Sequence, residues 1–209
     1  MQNVFMYEVK GMADIRSRKL VVIASSTGGP KALHKVIPQL SANLDAPVVI
    51  VQHMPKGFTN TLAERLNSSS EIPVSEVMDG ETLEKGHVYL AKGGKHLQIL
   101  QDRNGKLIFQ ENEDDPVNGL RPCANITFRS LSKVSLDYIV CVVLTGMGAD
   151  GYLGVKELKG NQNIYTIAQE KDSCVVYGMP KAIVENGLAD AVLPLDDIGQ
   201  EIMNKTGVR

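Results

Sequence analysis

The sequence predicts an α/β fold: a doubly wound, mostly parallel sheet with helices on both faces and an inserted antiparallel hairpin region. Three observations carry this expectation. Unbroken apolar, β-branched runs such as Leu20-Val21-Val22-Ile23-Ala24 suit strands covered on both faces, as parallel sheets require. These runs alternate with stretches of helical period, the mark of βαβ units. The alternation breaks only between 87 and 111, where short strands follow one another.

Residues 1–18 carry mixed charge and no period, and read as a linker stub or disordered N-terminus before a domain over 19–209. After the run ending at Ala24, Ser25-Ser26-Thr27-Gly28-Gly29 breaks the strand. A helix follows, with Pro30 in its first turn and Leu33, Val36, Ile37 and Leu40 on one face. A second strand is expected over 47–51 and a loop over 52–57. Thr61-x-x-Glu64 then suggests a capping box near the start of a helix through Leu66. Between 87 and 111, three short strands begin at His87, His96 and Lys106, divided by Gly93-Gly94 and by the hairpin signal Asn104-Gly105. Further strands are expected over 137–144, 163–168 and 190–193, with helices between them.

Composition narrows the function. At 209 residues the chain can bury about 70% of its unfolded surface and needs no disulfide or metal to fold. A net charge of −2 argues against a nucleic-acid binder. The 138–144 apolar run is far below the roughly 20 residues a membrane span takes. The N-terminal residues lack a secretory pattern, and three irregularly spaced cysteines suit a reducing cytoplasm. The expected protein is cytoplasmic, without direct membrane insertion.

Chemistry in such a sheet gathers at the carboxyl ends of the strands. Three polar loops fall there. At 25–30, two glycines permit a sharp strand-to-helix turn that exposes a hydroxyl beside helix-terminal amides. That turn suits a nucleophile elbow or a phosphate cradle, although neither Gly-x-x-x-x-Gly-Lys-Ser/Thr nor Gly-x-Gly-x-x-Gly is present. At 52–57, His53 directly follows a buried strand. At 144–151, Asp150 stands among glycines at a helix start, where it could cap the helix or orient an imidazole. A Ser, a His and an Asp on three strand ends form a triad by position. The order differs from the Ser…Asp/Glu…His of α/β-hydrolases. Cys174 is a rival nucleophile without an elbow around it, and the four histidines lack metal-like spacing, so no metal or cofactor is assigned.

At these residues the sequence resembles the catalytic domain of the CheB-type chemotaxis methylesterases. Ser25-Ser26-Thr27-Gly28-Gly29 matches the family's Ala-Ser-Thr-Gly-Gly, and 52–59 matches Gln-His-Met-Pro-x-Gly-Phe-Thr. Residues 144–151 match Leu-Thr-Gly-Met-Gly-x-Asp-Gly, with softer matches at 79–81, 89–96 and 168–180. The resemblance covers about 19–195. It implies Ser26 as nucleophile, rather than Ser25, His53 as general base and Asp150 as orienting acid. It further implies oxyanion or substrate contacts at Thr27, Met147 and Arg121.

The implied reaction is hydrolysis of glutamate γ-methyl esters on the cytoplasmic helices of methyl-accepting chemoreceptors, with deamidation of receptor glutamines in some members. Lys56, Lys92, Lys95 and Arg121 are the loop cations expected to meet an acidic substrate. Two departures stand out. The receiver domain usual in the family has no counterpart in this sequence. Where the family often reads His-Arg-Pro-Ser-Val-Asp, this chain has Leu120-Arg121-Pro122-Cys123-Ala124-Asn125. That loop is expected to border the cleft, so losing its polar groups should favour ester over amide. The rival reading is a catalytically idle module whose Ser-Thr-Gly-Gly turn holds a phosphate or carboxylate.

Overall fold

The chain runs β1 (Lys19–Ser25), α1 (Gly29–Val36), β2 (Val48–Gln52), α2 (Thr59–Ser68), β3 (Val74–Glu76), β4 (Val88–Leu90), β5 (His96–Gln101) and β6 (Leu107–Asn112), then α3 (Ala124–Ser130), β7 (Tyr138–Val143), α4 (Tyr152–Lys159), β8 (Ile164–Gln169), α5 (Met179–Glu185), β9 (Ala191–Leu193) and α6 (Leu195–Thr206). This computed structural model describes residues 18–209, so all of the expected linker but Arg18 lies outside the described residues. Arg18 belongs to the domain, its backbone N–H donating to Asp137 Oδ2 at 2.6 Å.

Seven strands form one parallel sheet in the order β3-β4-β2-β1-β7-β8-β9. The alternating side chains of β1 divide the core into two layers. Leu20, Val22 and Ala24 pack with Phe128, Val155 and Ile183 from α3, α4 and α5. Val21 and Ile23 pack on the opposite face with Leu33, Leu66 and Ile198 from α1, α2 and α6. Burial on both sides explains why these strands read as continuous apolar runs. Among the described residues, no helix is long and apolar enough to cross a membrane.

Two local expectations are corrected. The 87–91 segment was expected in the antiparallel excursion, yet Val88–Leu90 is a parallel strand between β3 and β2. Its three residues are buried on both faces, which only an interior strand position provides. Among the described strands, only β5 and β6 pair antiparallel, joined through 102–106 with the expected Asn104-Gly105 in the turn. Asp102 fixes that loop: its N–H donates to Lys106 O at 2.9 Å, and its Oδ1 accepts the N–H groups of Asn104 and Lys106 at 2.8 Å each. The capping box at Thr61 and Glu64 does not form, because α2 starts two residues earlier, at Thr59. Thr59 is instead stitched to its surroundings, donating to Glu76 and accepting the Gly93 N–H at 2.9 Å.

The topology also sets the stage for chemistry. From central β1 the chain builds outward to β2 on one side, and later returns to add β7 on the other. Loops after β2, β1 and β7 therefore lie side by side at a topological switch point. Because the sheet is the shared wall of both cores, Ile23→Ala should cost about 2–5 kcal/mol. Val192→Ala on exposed edge strand β9 should stay within about 0.5 kcal/mol. Urea denaturation of both variants is the check, and similar losses at the two positions would contradict the two-layer core.

Candidate active site

Ser26 caps β1 in a tight turn. Its N–H donates to Thr145 O at 3.0 Å, and its carbonyl accepts the Gly29 N–H at 2.8 Å. Gly28 turns the chain at φ +83°, where an added Cβ would also stand 2.6 Å from Val175. Ser26 is half-buried, and its Oγ makes no hydrogen bond among the described residues. Thr27 beside it is exposed.

His53 and Asp150 meet across this turn. His53 Nε2 lies 2.7 Å from Asp150 Oδ2, with both side chains almost enclosed. Asp150 also accepts the Ala124 N–H at 2.6 Å on Oδ2, and the Asn125 N–H at 3.0 Å and the Cys123 thiol at 3.2 Å on Oδ1. Its own neighbour Gly151 contributes a further N–H at 3.0 Å. Burial alone would raise this carboxyl's pKa. The bonds from His53, from the Asn125 and Ala124 amides and from Cys123 outweigh it, and hold the group below its ordinary 3.8. Asp150 is thus a carboxylate that can only accept, so the His53 proton sits on Nε2. His53 Nδ1 is buried and without a hydrogen-bond partner among the described residues.

Two residues that sequence reasoning passed over hold this arrangement. Gln52 ends β2 fully within the protein. Its Oε1 accepts the Ser25 hydroxyl at 2.6 Å, and its Nε2 donates to the carbonyls of Ser26 and His53 at 3.0 Å each. One amide thereby ties the serine turn to the histidine loop, with His53 N–H donating back to Ser25 O at 3.0 Å. Only glycine fits beside it at position 29, since a Cβ there would fall 1.9 Å from Gln52 Oε1. Asn125 is the second. Its Oδ1 accepts the N–H groups of Gly151 at 3.1 Å and Gly154 at 2.8 Å, capping α4 from another element. The signal for Gln52 was a polar residue closing an apolar strand. Asn125 had none, because its target lies 26 residues away.

The loop after β7 closes the other side. A Cβ on Gly146 would lie 2.8 Å from Ser26 Cβ, so Gly146 packs directly on the serine. The next residue, Met147, is exposed, and neither its N–H nor that of Thr27 has a backbone acceptor. Arg121 points elsewhere: its guanidinium donates to the carbonyls of Glu113 at 2.8 Å and Asp114 at 3.0 Å. Lys92 and Lys95 are bound to Glu111 at 3.7 and 3.0 Å. Of the four loop cations expected to face an acidic substrate, only Lys56 is unpaired among the described residues. The 120–125 loop does border a cleft: Leu120 and Asn125 line a cavity with Met147 and Asp150. Cys123 faces inward onto Asp150, and the Asn125 carbonyl oxygen is spent on α4. Cys174 is half-buried with its thiol pushed up to about 11 by burial, which suits packing rather than attack. His34 is exposed on α1, His87 bonds Ser75 at 2.9 Å and His96 is buried in β5.

Comparison with known proteins places this geometry in context. The CheB methylesterase family model matches residues 21–202. A protein-glutamate methylesterase/protein-glutamine glutaminase of Syntrophomonas wolfei is 47% identical over 197 residues, covering 91% of this chain and 55% of the relative. The protein of that description from Bacillus subtilis is 46% identical over 185 residues, 88% of this chain and 52% of the relative. The chain thus spans about half the length of the curated relatives it matches. The crystal structure of the Thermotoga maritima CheB methylesterase catalytic domain superposes with a TM-score of 0.86 at 44% identity, covering 90% of this chain and 99% of that one.

The donors around Asp150 make a pH prediction. Because the folded-state pKa is depressed, the carboxylate contributes stability that is present above its unfolded value and lost as pH falls through the folded one. Asp150→Asn should therefore fold but lose about 1–3 kcal/mol near neutral pH, its amide facing groups that can only donate. The gap to the parent protein should narrow below about pH 4. Urea unfolding across pH is the measurement; a gap independent of pH would show that Asp150 is not ionised in the folded protein.

Proposed function

We infer, on the premise that the chain belongs to the CheB methylesterase family, that it hydrolyses glutamate γ-methyl esters on methyl-accepting chemoreceptors, with Ser26 as nucleophile. The observation carrying this reading is the His53–Asp150 pair beside the Ser26 turn, with Nδ1 as the only basic nitrogen left. His53 Nδ1 takes the Ser26 hydroxyl proton as Oγ attacks the ester carbonyl, and Asp150 steadies the imidazolium through Nε2–H. The tetrahedral oxyanion is met by the N–H groups of Met147 and Thr27, which have no backbone acceptor among the described residues. His53 then returns its proton to the departing methoxide, releasing methanol. Water repeats the cycle on the acyl-serine, yielding glutamate and free Ser26.

The absence of a preformed Ser26–His53 hydrogen bond is compatible with this, since such contacts often tighten only with substrate in place. The machinery would attack a glutamine side chain by the same steps, with ammonia leaving, and the relatives' names carry both activities. Arg121, bound to the 113–114 carbonyls, acts in this scheme by shaping the neighbouring loop. The idle-module reading has no comparable support, since a phosphate cradle needs neither the imidazole nor its buried carboxylate.

Ser26→Ala should reduce methanol release from methylated receptor by at least about 10³-fold. Ser25→Ala removes only the hydroxyl donated to Gln52, a hydrogen bond worth about 0.5–1.5 kcal/mol, so its loss should be about tenfold or less. Equal losses at both positions would overturn the assignment of the nucleophile.

A further inference from the structure

We propose that the groove between α1 and α2 is the docking surface for an acidic helical segment of the protein substrate. The proposal rests on the methylesterase reading above for the substrate's identity, and on the groove itself for its chemistry. The groove encloses ≈ 490 Å³ and is lined by Lys31 and His34 from α1, Leu62 and Arg65 from α2, and Met54 and Phe58 from the loop between β2 and α2.

Charge is the first argument. Lys31 and His34 stand three residues apart on one stripe of α1, and Arg65 faces them from α2. Neither an ion pair nor a side-chain hydrogen bond engages any of the three among the described residues. Lys35, on the far flank of α1, is by contrast paired with Asp196 at 2.8 Å, while Lys56, unpaired among the described residues, adjoins the groove residues Gly57 and Phe58. α1 contains no acidic residue. The acidic residue of α2, Glu64, accepts from Asn60 at 2.8 Å and does not line the groove. In a chain of net charge −2, a cleft with unpaired cations and no carboxylate is a built feature.

Shape is the second. Two adjacent helices offer ridges between which a third helix can lie, at an interaxial spacing of about 8–10 Å. Phe58 is 60% exposed at the groove's lip, an apolar anchor of the kind that protein partners bury. Position is the third. Pro30 and Met54 bring the groove to the turn after Ser26 and to the residue following His53. A helix laid there would run alongside the reactive centre and present its side chains to it. The cations expected at Lys92, Lys95 and Arg121 are satisfied internally, so recognition shifts to this opposite wall.

The test is fluorescence anisotropy with a labelled amphipathic helical peptide of about 20 residues, about 30 Å long, carrying Glu at i and i+4 positions, and its twin with Gln for Glu. The protein should bind the Glu peptide at least about tenfold more tightly, and the difference should shrink as salt rises from about 0.05 to about 0.5 M. Lys31→Glu combined with Arg65→Glu should abolish the preference, and a twin with Lys for Glu should now bind the variant better. Both positions are exposed, and an unchanged urea midpoint confirms folding. Equal binding of Glu and Gln peptides by the parent protein, or a preference that survives in the variant, overturns the proposal. Tighter binding of a single-stranded oligonucleotide at the same groove overturns it too, as does self-association that the two substitutions abolish. Failure of the esterase reading would appear separately, as absent methanol release while peptide binding persists.

Discussion

A carboxylate enclosed as Asp150 is survives as an anion only when donors replace the water it has lost. Here they come from three places: the imidazole after β2, the thiol and amides entering α3, and the amide that opens α4. None of these segments is adjacent to another in sequence. Satisfying one charge therefore fixes how the helices beneath β1 and β7 meet the sheet edge. Asn125 extends the same constraint, accepting two α4 amides while its own N–H serves Asp150. The proposed catalytic carboxylate and the start of α4 are locked as one unit.

Gln52 performs the matching task on the other side of Ser26. It joins the turn after β1 to the loop after β2 through one donor group and one acceptor. Ser26 is thus positioned by backbone contacts to Thr145 and Gly29 and by the Gln52 amide, while its hydroxyl stays uncommitted. The division of labour is physical: the fold spends its hydrogen bonds on the backbone and on Asp150, and leaves unpaired the two atoms the proposed mechanism needs, Ser26 Oγ and His53 Nδ1.

Much of this was legible in the sequence because strand ends announce themselves. An apolar run that gives way to polar residues and glycine, as at Ser25, Gln52 and Thr145, marks a carboxyl edge, and the parallel order sets such edges side by side. What stayed hidden depends on contacts between distant segments. β3 is three residues long and only partly buried, too short to show a period. Lys92 and Lys95 looked free as loop residues, but their partner Glu111 lies in β6, brought close by the hairpin. Cys123 looked like a cleft residue because a loop position does not tell which way a side chain turns.

That last point changes how ester and amide substrates would be distinguished. Leu120 and Asn125 border the cleft beside Met147, where an apolar Leu120 offers a substrate no hydrogen bond. Through Cys123 and the Asn125 N–H the loop also acts on the acid–base pair. Its influence then falls on how firmly the imidazolium is held while it protonates the leaving group. An amide depends on that proton transfer more heavily than an ester, because ammonia departs only when protonated and methoxide leaves more readily. Four donors besides His53 keep Asp150 fixed in place, which favours the demanding step as well as the easy one. The loop therefore bears on the choice between ester and amide in two opposed ways, through the cleft wall at Leu120 and through the firmness with which Asp150 is held.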